Sequence, residues 1–177
     1  MTIVMGIDPG ATRAGWSVLS QRKGGNPTHV ASGVVHFPRL PKQKFQEYRM
    51  ALTEYWVLKS FDLMDEYEPD VLVSETVPSR GPEIMDQLYL ANVQVTVLHA
   101  IAISYGVKVV QVSARSVQAK IAKRKPNIKV TKPQVRQGVL ERFPELAPLV
   151  KEEMKVFERT DAIAVGLFGF YLKGKNN

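Results

Sequence analysis

The spacing of apolar residues changes several times along the chain, and each change marks an element. Ile3–Asp8 is rich in Ile, Val and Met with weak alternation, which predicts a buried strand. Pro9–Gly10 forces a turn, and Gly15–Ser20 (GWSVLS) predicts a second strand. Gly24, Gly25, Asn26 and Pro27 make another turn before a third strand at His29–Phe37 (HVASGVVHF). Connections this short imply antiparallel hairpins.

The period then lengthens. Phe45, Tyr48, Leu52, Tyr55 and Trp56 recur every three or four residues, predicting an amphipathic helix over Lys42–Tyr67 that ends at Pro69–Asp70. Val71–Glu75 (VLVSE) is almost wholly apolar, as expected of a central strand with both faces covered. Glu83–Tyr105 predicts a second helix, with Leu88, Ala91, Val95, Leu98 and Ala102 on one face and Gly106 suited to its C′ position. That face suits either core packing against a sheet or an interface with another copy. Val107–Val112 is a further apolar strand. Thr131 is a candidate N-cap with Pro133 in the first turn of the next helix. A last apolar helix covers Phe157–Lys173, and 174–177 reads as a frayed tail. The order predicts an α/β fold in one domain, residues 1–173: a mixed five-stranded sheet, three antiparallel strands then parallel ones, flanked by helices.

Composition narrows the function. With 45% hydrophobic and 8% aromatic residues over 177 positions, wholesale disorder is excluded. No apolar run reaches the ~20 residues of a membrane span, and no membrane role is expected. The opening MTIVMGIDPG has no basic region followed by a long apolar stretch, so no secretory signal is expected. The absence of cysteine excludes a disulfide scaffold and any thiolate-held zinc or iron–sulfur centre. The formal charge of +7 is concentrated. Between Ser113 and Arg142, nine basic residues (Arg115, Lys120, Lys123, Arg124, Lys125, Lys129, Lys132, Arg136 and Arg142) face a single acid, Glu141, while the remainder of the chain is nearly neutral. A segment of this kind is the electrostatic footprint of a polyanion binder, although a solvated basic loop would read the same way.

Four acids stand where acids are costly. Asp8 and Glu75 each close an apolar strand, and Glu158 and Asp161 lie i, i+3 just before the apolar run Ala-Ile-Ala-Val-Gly-Leu-Phe. The ends of strands in open α/β sheets are where ligands bind. An oxygen-only donor set without Cys, and with His29, His36 and His99 all outside the acidic motifs, suits Mg²⁺ or Mn²⁺. Two such ions ~4 Å apart form the clamp used for in-line phosphoryl displacement. Each acid also has a plainer reading: an Asx turn for Asp8, a pair with Arg80 for Glu75, and helix N-terminal acids for Glu158 and Asp161.

Taken together these segments resemble a known family. MGIDPGATRAGWSVLS, VLVSETVP, SARSVQAK followed by VTKPQV, and ERTDAIAVGL resemble, in order, the motifs of RuvC-type Holliday junction resolvases, members of the RNase H-like (retroviral integrase) superfamily. The likeness covers about residues 3–172. It implies an RNase H-like fold, a homodimer, two Mg²⁺ (or Mn²⁺) ions per active site, and paired nicks across four-way DNA junctions or related branched DNA. Residue by residue, Asp8, Glu75, Glu158 and Asp161 take the metal-binding positions, and Lys132 the basic position near the scissile phosphate. Lys120, or Gln118 in a gap-free alignment, takes that of a second active-site lysine. DNA contacts are expected from Arg80, Arg115, Lys120, Lys123, Arg124, Lys125, Lys129, Lys132 and Arg136, with no small-molecule cofactor.

The chain departs from the family at three places. Glu158 stands where Asp is usual, Val77–Pro78 replace a stacking aromatic, and Lys-Arg-Lys-Pro-Asn replaces a glycine-rich turn. These departures suggest a divergent, bacteriophage-encoded member, working in bacterial or phage-infected cytoplasm. The competing expectations are another RNase H-like nuclease acting on RNA or RNA–DNA hybrid (Yqgf-type), an actin-like phosphotransferase, for which a second lobe is missing, and a non-catalytic junction-binding module.

Overall fold

A computed structural model describes residues 1–10, 12–37, 45–77, 85–125, 128–152 and 157–173. Five strands, β1 (Thr2–Asp8), β2 (Arg13–Gln21), β3 (Thr28–His36), β4 (Val71–Glu75) and β5 (Lys108–Val112), form one sheet in the order β3-β2-β1-β4-β5. The first three pair antiparallel, and β1–β4 and β4–β5 pair parallel. This is the mixed sheet expected from the sequence. The hairpins account for the antiparallel half, and the long helical crossovers for the parallel half.

The side chains of the central strands divide between two cores, as the period-2 geometry of a strand requires. Met5, Ile7 and Leu72 point to one face, where Leu52, Trp56, Leu63 and Met64 of α1 (Phe45–Tyr67) meet Leu98 and Ala102 of α2 (Met85–Ser104). Val4, Val71, Val73 and Val112 point to the other. That face is covered by α3 (Ala114–Ile121), α4 (Lys132–Leu140), a 3-10 turn at Pro144–Leu146, α5 (Ala147–Glu152) and α6 (Glu158–Lys173). Burial on both sides explains why these strands read as nearly continuous apolar runs.

The apolar face of α2 is core: Ala91, Val95, Leu98 and Ala102 are buried. Of the two roles open from sequence, packing therefore takes that face and an interface between copies does not; the side chain of Leu88 lies outside the described residues. Gly106, at φ +73°, follows α2 as the expected left-handed residue. Ser113 caps α3, a helix inside the basic segment that periodicity does not announce. Thr131 caps α4, its backbone N–H donating to Gln134 Oε1 at 2.9 Å.

Helix α6 lies unusually close to the sheet, and glycines make this possible. A Cβ on Gly6 would stand 2.4 Å from Ala162 O, and one on Gly15 would stand 2.0 Å from Glu158 O. Neither strand could carry a side chain there without pushing the helix away. Ser17 Oγ adds a hydrogen bond to Ala162 O at 2.8 Å. The N-terminus of α6 is thereby fixed over the end of the β1–β2 pair.

Candidate active site

The β1–β4 register runs through Ile7 opposite Ser74, so the next residues, Asp8 and Glu75, stand side by side at the same edge of the sheet. Their carboxyl groups stand close enough to act on each other's pKa. Gly15 is the register partner of Asp8 and also the residue packed on Glu158 O, so the first turn of α6 reaches the same edge. Within that turn the i, i+3 spacing brings Glu158 and Asp161 to one side. From the other side, Lys132 at the start of α4 donates from Nζ to Asp161 Oδ2 at 2.7 Å. On the β2 side, Arg13 Nη2 meets Glu158 Oε1 at 3.0 Å.

The electrostatics are those of crowded carboxylates. Burial raises the Asp8 carboxyl well above the usual range, and the charges of Glu75 and Asp161 push it further. Glu75 is raised, chiefly by burial, against the bond from Asp8 and the field of Lys132. Asp161 is also raised by burial, against its bond to Lys132. Burial alone would depress Lys132, but the bond to Asp161 and the fields of Asp161, Asp8 and Glu158 outweigh it and raise its pKa. The charges of Asp8, Glu75, Asp161 and Lys132 are linked, and that of Glu158 acts on Asp161 and Lys132, so the five form one electrostatic unit.

The donor set fits a hard divalent cation. It contains only carboxylate oxygens, and Glu158 Oε2 is buried without a hydrogen-bond partner among the described residues. No three such groups among the described residues already close around a single point. The acids instead stand in pairs, Asp8 beside Glu75, Asp161 with Lys132, and Glu158 with Arg13 through Oε1 alone.

The basic residues divide into groups. Arg136 stacks over Phe157, 4.4 Å from the ring centroid, and its charge reaches Asp161. Lys132 lies over the same ring at 5.5 Å. Arg115 and Lys129 line a cleft of about 320 Å³ with Gln118, Ile128 and Val130. Arg124 and Lys125 are exposed on the turn after α3, while Lys123 is tied to Glu141 at 2.8 Å. Lys120 does not join the acids. Its Nζ sits 4.6 Å over the ring of Tyr171, nearly three turns further along α6 than Asp161, or about 15 Å. Helix α3 packs against α6 and sets Lys120 over Tyr171, apart from the strand ends where Asp8 and Glu75 stand. Arg80 lies outside the described residues.

Three contributors have no signature in the sequence pattern. Arg13 and Phe157 are two. The third is Gln94, fully buried on α2, which donates from Nε2 to Gly10 O at 3.0 Å and so braces the loop that follows Asp8. A cavity of about 780 Å³ lies between α1 and α2 and is lined by Arg49, Met50, Thr53, Glu54, Val57, Leu90 and Val93. It contains none of the clustered carboxylates.

The chain is similar to known proteins in sequence and in fold. The family model described as crossover junction endodeoxyribonuclease RuvC matches residues 4–168. A protein of that name from Corynebacterium diphtheriae is 42% identical over 77 residues, 44% of this chain and 44% of the relative, so the matched segment spans less than half of that protein. The RuvC structure from Thermus thermophilus superposes with a TM-score of 0.73 at 20% identity, covering 98% of this chain and 97% of that one. A second T. thermophilus RuvC structure, in complex with a Holliday junction substrate, gives 0.72 at 19% identity, covering 98% and 96%. At these identities the structural likeness speaks for the fold.

Proposed function

The chain belongs to the family of crossover junction endodeoxyribonuclease RuvC, and from that membership and the site above we propose that it is a metal-dependent endonuclease that resolves four-way DNA junctions or related branched DNA by hydrolysing phosphodiester bonds. The observation that carries the proposal is the meeting of Asp8, Glu75 and Asp161 with Lys132 in one electrostatic unit at the strand ends.

In this reading Asp8, Glu75, Glu158 and Asp161 hold Mg²⁺ or Mn²⁺, two ions per site. When bound, such ions activate the attacking water and offset the charge of the leaving 3′ oxygen. The protein's own groups do the rest. The carboxyls of Asp8 and Glu75, raised chiefly by burial, would gain a cation partner there. Lys132 is cationic at neutral pH and stands beside Asp161, where it neutralises charge building on the scissile phosphate. The Phe157 ring lies under the ammonium of Lys132 and the guanidinium of Arg136, which limits their freedom. Arg115, Lys129, Arg124 and Lys125 contact phosphates and set register without reading bases.

A two-fold homodimer suits a pseudo-symmetric substrate. We place its interface at the α1–α2 groove, where Met50 is 74% exposed beside Val57 and Val93. The work belongs in bacterial or phage-infected cytoplasm, consistent with a relative from a bacterium; no described helix is long and apolar enough to cross a membrane. The test is cleavage of a four-way junction beside a flap, an RNA–DNA hybrid and a linear duplex, with Mg²⁺ and with EDTA. Junction cleavage that requires Mg²⁺ supports the proposal. Preferential cutting of the hybrid would instead favour an RNA-processing member of the same fold, and metal-independent binding without cutting would favour a binding module.

A further inference from the structure

Arg13 opens β2, five residues after Asp8, and its guanidinium grips Glu158 by one oxygen only, Nη2 to Oε1 at 3.0 Å. With side-chain exposures of 37% and 20%, the pair contributes little to stability. Its effect on Glu158 is more telling. The other oxygen, Oε2, is buried and has no hydrogen-bond partner among the described residues. A buried carboxylate oxygen left without a donor is costly, and one that stands beside further carboxylates is an oxygen a hard cation would take.

The backbone cannot adjust the reach of this side chain. Gly15 lies so close to Glu158 O that a Cβ would stand 2.0 Å away, and Ser17 Oγ holds Ala162 O at 2.8 Å. The position of the Glu158 carboxylate is therefore set by its own torsions and by what grips it. Lys132 holds Asp161 from α4, and Arg13 holds Glu158 from β2. The two acids of α6 are thus steadied by two cations on two different elements.

We propose that Arg13 is a positioning residue, which holds Glu158 by Oε1 so that Oε2 is presented to a divalent cation shared with Asp161. The inference rests on the metal-site reading above and deepens it. Glutamate is one methylene longer than aspartate and has one more torsion to fix, so the longer arm needs a tether that a shorter one would not. Arg13 supplies that tether from the strand that follows the Asp8 loop.

The test is Mn²⁺ binding to the 177-residue chain, followed by the electron paramagnetic resonance signal of the free ion, with a thermal melt of every variant. The proteins compared are the wild type, Asp8→Asn, Arg13→Gln, Arg13→Lys, Glu158→Gln and the Arg13→Gln/Glu158→Gln double variant. Arg13→Gln weakens Mn²⁺ binding about tenfold, the usual scale for a group that orients a ligand. Glu158→Gln weakens it at least as much, and the double variant binds no more weakly than Glu158→Gln alone. Arg13→Lys, which keeps one charged donor, recovers part of the loss. Wild-type affinity in Arg13→Gln, or a loss that adds in full to that of Glu158→Gln, overturns the positioning role while leaving the metal site intact. A wild type that binds no Mn²⁺, or an Asp8→Asn variant that binds it undiminished, overturns the metal site and the role of Arg13 together.

Discussion

Lys132 Nζ stands 2.7 Å from Asp161 Oδ2, joining the first turn of α4 to the first turn of α6 across the edge of the sheet where Asp8 and Glu75 end their strands. Lysine here is half exposed while the aspartate is nearly covered. The ammonium can therefore reach outward to a phosphate while the carboxylate stays inside.

Lys132→Ala should lower the rate of junction cleavage far more than junction affinity, by about 10²-fold in rate, the scale of losing one preorganised charge-stabilising donor. Lys132→Arg keeps the charge and should retain part of the rate. Single-turnover cleavage and a gel-shift titration on the same junction separate the two quantities. An unchanged rate in Lys132→Ala removes its catalytic role.

The raised carboxyl of Asp8 has a stability consequence whose sign is fixed. A group whose folded pKa lies above its unfolded value binds more protons in the fold, so its contribution is full below the unfolded pKa and is lost as pH rises through the folded one. In EDTA the protein should therefore lose stability as pH rises from the acid range. Asp8→Asn should reduce that dependence, to which the raised Glu75 and Asp161 also contribute, and stabilise the protein at neutral pH by about 1–3 kcal/mol, since a like-charged buried group is gone. Thermal melts across pH check this, and a variant less stable than wild type at pH 7 would contradict the crowding of acids.

The basic segment should bind DNA largely through counterion release. Arg115→Ala and Lys129→Ala, which share one cleft, should each reduce the salt slope of junction binding by about 1. Lys120→Ala should reduce it less, because Lys120 stacks on Tyr171 at the far end of α6. Affinities between low and moderate salt read the slopes directly.

If α1 and α2 carry the contact between copies, Met50→Glu sets a charge into an apolar groove and should yield monomer in light scattering coupled to size exclusion. Paired nicking of a junction should fall with it, while the single-chain fold persists in circular dichroism. A dimer that survives the substitution moves the interface elsewhere.

Much of this is legible in the sequence for a physical reason. Asp8, Glu75 and Asp161 stand out because a carboxylate at the end of an apolar strand, or just before an apolar helix, violates the local pattern. The strands are legible through hairpin turns, although β2 extends to Arg13–Gln21 because pairing with β3 at Arg13 and with β1 at Gln21 continues past the apolar residues that betray it. Helix α3 escapes because charged and polar residues crowd it and its capping Ser113 is not distinctive. The grip of Arg13 on Glu158 depends on how closely α6 settles on Gly15, which no spacing along the chain encodes. The place of Lys120 is not legible for the same reason: it lies near the family's motif in sequence, and the packing of α3 sets it over Tyr171.

The most direct measurement is cleavage of a four-way junction with Mg²⁺ by Asp8→Asn and Glu75→Gln, beside a binding titration of each. Both variants should bind the junction as the wild type does and fail to cut it. Cutting at the wild-type rate by either one would contradict the assignment of this acidic cluster as the active site.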